Sequence, residues 1–111
     1  METTERIETW PKFTHRTAEV MYRRPKREIK NITTRLTIAY QIIDGQLEYQ
    51  VAFCAPTDNF NRRRGRAISA SRLSGKPLTV DALTLEKPIE TIIADVIANR
   101  LPKYWVSANI F

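Results

Sequence analysis

The chain has 111 residues, 42% of them apolar and 27% charged, with 18 Lys or Arg against 12 Asp or Glu and a formal net charge of +6. These figures describe one globular domain with a modest core and a bias towards polyanionic partners, either nucleic acid or phosphate-bearing small molecules. One cysteine, Cys54, and one histidine, His15, exclude an internal disulfide and a Cys/His zinc site, so neither metal nor cofactor is expected.

Residues 1–14 mix charge with Trp10, Pro11 and Phe13 without a period and read as a loosely ordered N-terminal arm. The polar start is not a secretory signal, and no apolar run is long enough to cross a bilayer, so a cytoplasmic protein without membrane contact is expected. Residues 17–22 suggest a short strand, and the rest of 15–30 a basic connection around Pro25.

The clearest pattern spans residues 35–54. Leu36, Ile38, Tyr40 and Ile42 alternate with polar or small residues, and so do Leu47, Tyr49, Val51 and Phe53. Between the two runs stands Asp44-Gly45, the pair that a two-residue type I′ turn prefers. That turn sets Ile42 against Leu47, Tyr40 against Tyr49 and Ile38 against Val51, with every large apolar residue on one face.

Asp58 or Asn59 is then placed to cap a helix over about 60–73, which Gly75 and Pro77 end. Its expected apolar arc is Phe60, Ala67, Ile68 and Ala70, with Arg62, Gly65, Arg66 and Ser69 opposite. Residues 78–85 suggest one or two short strands. From Pro88, the residues Ile89, Ile92, Ile93, Val96, Ile97 and Leu101 follow the spacing of a buried helical stripe over about 88–101. The tail KYWVSANIF is apolar enough to dock as a strand or to cover a second copy, so a homo-oligomer is expected.

The stretch DNFNRRRGRAIS is the candidate site. Arginine-rich helices are often only solvated faces, but here the arginines follow a strand-to-helix turn. The free N–H groups of the first helical turn then point the same way as Arg62, Arg63 and Arg64. Phe60 either supports the helix or offers a ring to a base. Gly65 in mid-helix costs about 1 kcal/mol relative to Ala, which close approach of a ligand or another helix would explain. Arg64, near the expected apolar arc, needs a carboxylate or a phosphate, and Asp58 or a glutamate of the last helix is the structural alternative. Arg66 and Arg72 face ligand or solvent. SGKP at 74–77 lacks the upstream glycine of a P-loop, and Ser69 and Ser71 have no histidine nearby to act as base. His15 reads as a surface residue and Cys54 as a core or turn residue.

The stretch YQVAFCAPTDNFNRRRGRAISASRL, residues 49–73, resembles a pattern of small phage proteins. In it a strand ends in F-C-x-P-x-D-x-F and leads into a G-R-x-I-x-x-x-R-L helix. It is similar to the first family of phage Thoeris anti-defence proteins. The resemblance covers about a quarter of the chain. It implies an oligomeric protein that sequesters cyclic ADP-ribose signals, and in some members cyclic nucleotides, without cleaving them. It implies ligand contacts from Phe60, Arg64, Arg66 and Arg72, and leaves the family's other ligand residues unmatched.

The expectation is therefore a single α+β domain, an antiparallel sheet around the 35–54 hairpin packed by helices near 60–73 and 88–101. Its expected function is non-catalytic binding of a nucleotide-derived signal in a phage-infected bacterial cell, through Phe60, Arg62, Arg64, Arg66 and Arg72. Two alternatives use the same arginines: a small nucleic-acid-binding or regulatory phage protein, and a protein inhibitor of a host defence enzyme.

Overall fold

A computed structural model of the protein describes residues 11–26, 28–54, 59–80 and 87–111. The elements are β1 (Lys12–Tyr22), β2 (Lys30–Ile43), β3 (Gln46–Phe53), α1 (Arg62–Gly75), β4 (Leu78–Val80), α2 (Pro88–Asn99) and β5 (Trp105–Ile110). All strand pairs are antiparallel and form one sheet in the order β4-β3-β2-β1-β5. The chain is an α+β domain built on the expected hairpin.

The register of that hairpin follows its turn. Asp44 and Gly45 both take positive φ, 53° and 75°, the backbone of a type I′ turn. Ile42 then pairs with Leu47, Tyr40 with Tyr49 and Ile38 with Val51. On this face Leu36, Ile38, Leu47, Tyr49 and Val51 form the core with Ala18 and Val20 of β1, Ile92 and Val96 of α2, and Trp105 and Ala108 of β5. The Tyr49 hydroxyl donates to the Asp95 carboxylate, which ties α2 to this face. Burial first, and Asp95 second, push the phenol well above its ordinary value of 10.0, so it remains the donor across the accessible pH range.

The other face is also covered, and by different means. Thr37 and Ala39 are fully buried and Ala52 nearly so, beneath α1. A methyl built on Gly65 would sit 2.3 Å from Thr37 Oγ1, so the helix backbone rests against β2 with no room for a side chain. Gly65 is explained by a strand, not by another helix or a ligand. The sheet-facing row of α1 holds Gly65, Ser69 and Leu73, of which Ser69 and Leu73 are buried, while Ala67 is exposed. The expected apolar arc was thus misplaced: the sheet surface below α1 is made of small residues, and a glycine–serine row fits it best. Ser69 meets the cost of burial by donating its hydroxyl to the Gly65 carbonyl at 2.7 Å.

Other boundaries shift for identifiable reasons. The strand expected at 17–22 begins at Lys12, because β1 pairs with β2 along its whole length from Lys12↔Tyr40 to Tyr22↔Lys30. Part of the expected arm and basic connection is therefore sheet, and residues 1–10 lie outside the described residues. Asn61, not Asp58 or Asn59, caps α1: its Oδ1 accepts from Arg64 N at 3.0 Å. Asp58 lies outside the described residues. Gly75 is the last residue of α1 and does not take a positive φ. Of residues 78–85, 78–80 form β4 and the remainder lies outside the described residues. The last helix ends at Asn99 instead of 101, with Pro88 and Glu90 in its first turn, and Ile97 is exposed instead of buried. The tail docks as β5 on β1.

Replacing Gly65 with Ala should lower stability by up to about 2 kcal/mol. Overpacking against Thr37 costs about 1–3 kcal/mol and helix propensity returns about 1. At Gly75 nothing lies within 4 Å of an added methyl. Gly75→Ala should therefore leave the urea midpoint unchanged or raised, and equal losses at both positions would contradict the close approach.

Candidate anion-binding site

The N-terminal end of α1 projects over the polar side of β1 and β2. His15 pairs with Thr37 across the two strands, and Arg35 with Thr17, so His15, Arg35 and Thr37 share the α1-facing side. His15 Nδ1 and Thr37 Oγ1 share a hydrogen bond of 2.8 Å whose direction follows the imidazole tautomer. Phe60, just ahead of α1, lays its ring edge-on to His15 at 5.6 Å between centroids. The Arg35 guanidinium lies over the same ring, 4.5 Å from its centre. Arg35 Nε is buried and makes no hydrogen bond among the described residues.

Among the described residues, the charges that act on this cluster are all of one sign. Burial is the main cause of a depressed His15 pKa, and the nearby charges of Arg62, Arg66 and Arg35 lower it further. No acidic residue stands in the first turn of α1. Among the described residues the ion pairs are Lys87–Glu90 and Arg100–Asp95, both away from this end of the molecule. Arginine at the first turn is opposite to what the helix dipole favours, since the free N–H groups there already carry partial positive charge. The arrangement opposes folding and favours an anion.

Beside this cluster, Ala52, Cys54, Phe60, Arg64, Gly65 and Ile68 border a cleft of about 90 Å³. That is well below the roughly 300–1,000 Å³ that encloses a drug-sized ligand. One chain therefore offers a seat for a phosphate or the edge of a ring here, and not an enclosure for a whole nucleotide.

The five expected site residues divide. Phe60 lies against His15 and Arg35, and Arg62 and Arg66 lie near His15. Arg64 is exposed at the cleft and pairs with no carboxylate among the described residues. The glutamate of the last helix is out of its reach, because α2 lies on the opposite face of the sheet. Arg72 has a different task. β4 stops pairing at Tyr49↔Leu78, so the outward carbonyl of Val51 lies beyond it, and Arg72 Nη1 donates to that oxygen at 2.8 Å. His15 and Arg35 were not singled out from the sequence. For Arg35, its shared parity with Thr37 on the polar face of β2 was the available signal. For His15, there was none without the β1–β2 pairing.

The His15–Thr37 pair has the spacing of a base and a nucleophile, but Thr37 is fully buried under α1, so its hydroxyl has no path to a substrate. Among the described residues no group of three His, Cys, Asp or Glu side chains could hold a metal ion, and no helix is long and apolar enough to cross a membrane. Comparison with protein-family models, with curated proteins and with solved structures finds no match for the chain.

Because the folded His15 pKa is depressed below 6.5, the unfolded chain binds more protons as pH drops through that value. Stability held above pH 6.5 should therefore fall as the solution is acidified from there, levelling off below the folded pKa. His15→Gln should flatten this part of the pH–stability curve measured by urea titration. A slope between pH 6.5 and 5 identical to wild type would show that His15 does not contribute to it.

Proposed function

We propose that the protein binds a phosphate-bearing nucleotide, without catalysis, on the cationic end of α1, and so acts as a sequestering protein for a nucleotide-derived signal. The observation that carries this reading is that Arg35 and His15 lie against Phe60, with Arg62 and Arg66 near His15 and no carboxylate paired with any of them among the described residues. Arginine presents a planar fork to phosphate oxygens, and the free N–H groups of α1 add donors on the same side. Phe60 offers an apolar surface next to the anion. The resemblance of residues 49–73 to phage Thoeris anti-defence proteins supports a cyclic ADP-ribose type of signal and a role inside an infected bacterial cell.

The site residues in this reading are Phe60, Arg62, Arg64 and Arg66, now with His15 and Arg35. Arg72 supports the site by holding α1 to β3. Binding to long nucleic acid through the same arginines, or to an acidic protein partner, is distinguished by salt. A long polyanion releases many counterions and its affinity falls steeply with salt, whereas a ligand with two phosphates loses little.

Calorimetry with ADP-ribose isomers, cyclic dinucleotides and short DNA should find a small nucleotide that binds with a shallow salt slope. Arg66→Ala and Arg35→Ala should each weaken it ten- to a hundred-fold, on the order of 1.5–3 kcal/mol for a charge-assisted bond. Arg66→Lys should recover only part of the loss. Binding of long DNA alone, with a steep salt slope, would replace this reading with the nucleic-acid one.

The small cleft of a single chain also favours a homo-oligomer, and β5 is the edge that suits one. Thr17 and Phe111 exchange both backbone bonds, so the alternation of an antiparallel ladder turns the amides of Ala108 and Ile110 outward. No described strand pairs with that edge, which carries no charge or proline and exposes Val106 at 57%. Val106→Lys should shift sedimentation to a smaller species with unchanged circular dichroism. A wild-type chain that already sediments as a monomer would refute the oligomer.

A further inference from the structure

A second cleft lies at the opposite side of the Phe53–Cys54 strand end, where β1, β3 and the approach to β5 meet. It measures about 250 Å³, and Tyr22, Phe53, Pro102, Tyr104 and Trp105 give it walls that are almost entirely carbon. Two ring pairs frame it edge to face, Tyr22 with Tyr104 at 6.3 Å and Phe53 with Trp105 at 5.0 Å. The sequence explains the assembly: Arg23 N donates to the Tyr104 carbonyl at 2.9 Å, which fixes the segment before β5 against the end of β1.

Cations stand at its mouth. The Arg24 guanidinium lies 5.9 Å from the centres of both the Tyr22 and Tyr104 rings, and Lys103 Nζ lies 5.5 Å from that of Tyr104. Arg24 Nε donates to the Tyr22 hydroxyl at 2.6 Å, which orients the guanidinium while its two terminal nitrogens make no hydrogen bond among the described residues. Neither cation forms an ion pair among those residues.

We infer that this cleft seats the base of a mononucleotide, with Arg24 and Lys103 on its phosphate. Four aromatic rings give the cleft apolar walls, and a planar ring with an attached anion is the chemistry that matches both the walls and the cationic rim. The volume falls below that of clefts that enclose drug-sized ligands, so it takes a single ring. A non-specific single-strand binder instead offers several bases a succession of stacking platforms along a basic groove. A free mononucleotide is therefore the occupant, in preference to a nucleic-acid strand. The inference stands apart from the α1 reading: the two clefts share only Phe53 and Cys54, and no arginine of α1 lines this one.

Trp105 reports on the cleft directly once the other tryptophan, Trp10, is changed to Phe. In that background, 5′-AMP should quench the fluorescence saturably, and adenosine should do so about ten-fold more weakly for want of the charge-assisted bonds. Inorganic phosphate should leave the signal unchanged. Arg24→Gln, an exposed substitution, should reduce AMP to the affinity of adenosine, and Tyr104→Leu should weaken both ligands, with thermal melts monitoring the fold of each variant. Arg66→Ala should not alter the AMP titration. The inference is overturned if neither AMP nor adenosine quenches the wild-type signal, if the two bind equally, or if Arg66→Ala abolishes the effect. It is also overturned if oligothymidylate outcompetes AMP with an affinity that grows with length.

Discussion

The structure turns on a missing methyl group. Gly65 lets the backbone of α1 settle against Thr37, and no other residue type would permit that separation. Very little else holds the helix there by apolar area, since only Ser69 and Leu73 of α1 are buried. Attraction between closely apposed atoms, many small contacts at short range, takes the place of a large hydrophobic stripe. The close approach also determines the site. It carries Phe60, Arg62 and Arg66 over β1 and β2, where His15 and Arg35 wait on the polar side of the sheet.

That geometry sets stability against charge. The first turn of α1 holds Arg62, Arg63 and Arg64 where the helix dipole favours acids, and the protonation of nearby His15 is already suppressed. Asn61 compensates part of the cost by accepting the Arg64 amide at 3.0 Å, and Arg72 anchors the far end through the Val51 carbonyl. A bound anion would relieve the remainder, so occupancy and folding are thermodynamically linked: whatever binds only the folded chain stabilises it by mass action.

The hairpin was legible in the sequence because two independent local signals agree there. Asp44-Gly45 dictates the turn, and the period of two dictates the face. β1 was less legible, since its inward residues Ala18 and Val20 are few and small among charged neighbours, and only pairing with β2 reveals its length. The face of α1 was misread for a related reason. A helix is ordinarily assumed to turn its largest apolar residues to the core, whereas this one meets Thr37, Ala39 and Ala52, against which glycine and serine fit. In the candidate site Phe60, Arg62 and Arg66 could be named in advance because they are contiguous with a helix start. His15 and Arg35 come from separate strands, and only the ladder brings them together. Arg72 is implied as a ligand contact only by the resemblance of residues 49–73, and the early end of β4, which exposes the Val51 carbonyl that it holds, leaves no mark in the sequence.

The two helices are attached to the sheet by unlike means, and their motions should differ accordingly. α2 inserts Ile92 and Val96 into the main apolar cluster and is pinned by the Tyr49–Asp95 bond. α1 lies on a bed of small side chains with most of its surface in water. Lifting α1 away exposes little apolar surface, whereas lifting α2 opens the core itself. The backbone amides of α1 therefore belong to a lower-energy opening than those of the hairpin and α2, and exchange with solvent through partial excursions while the opposite face of the sheet remains closed.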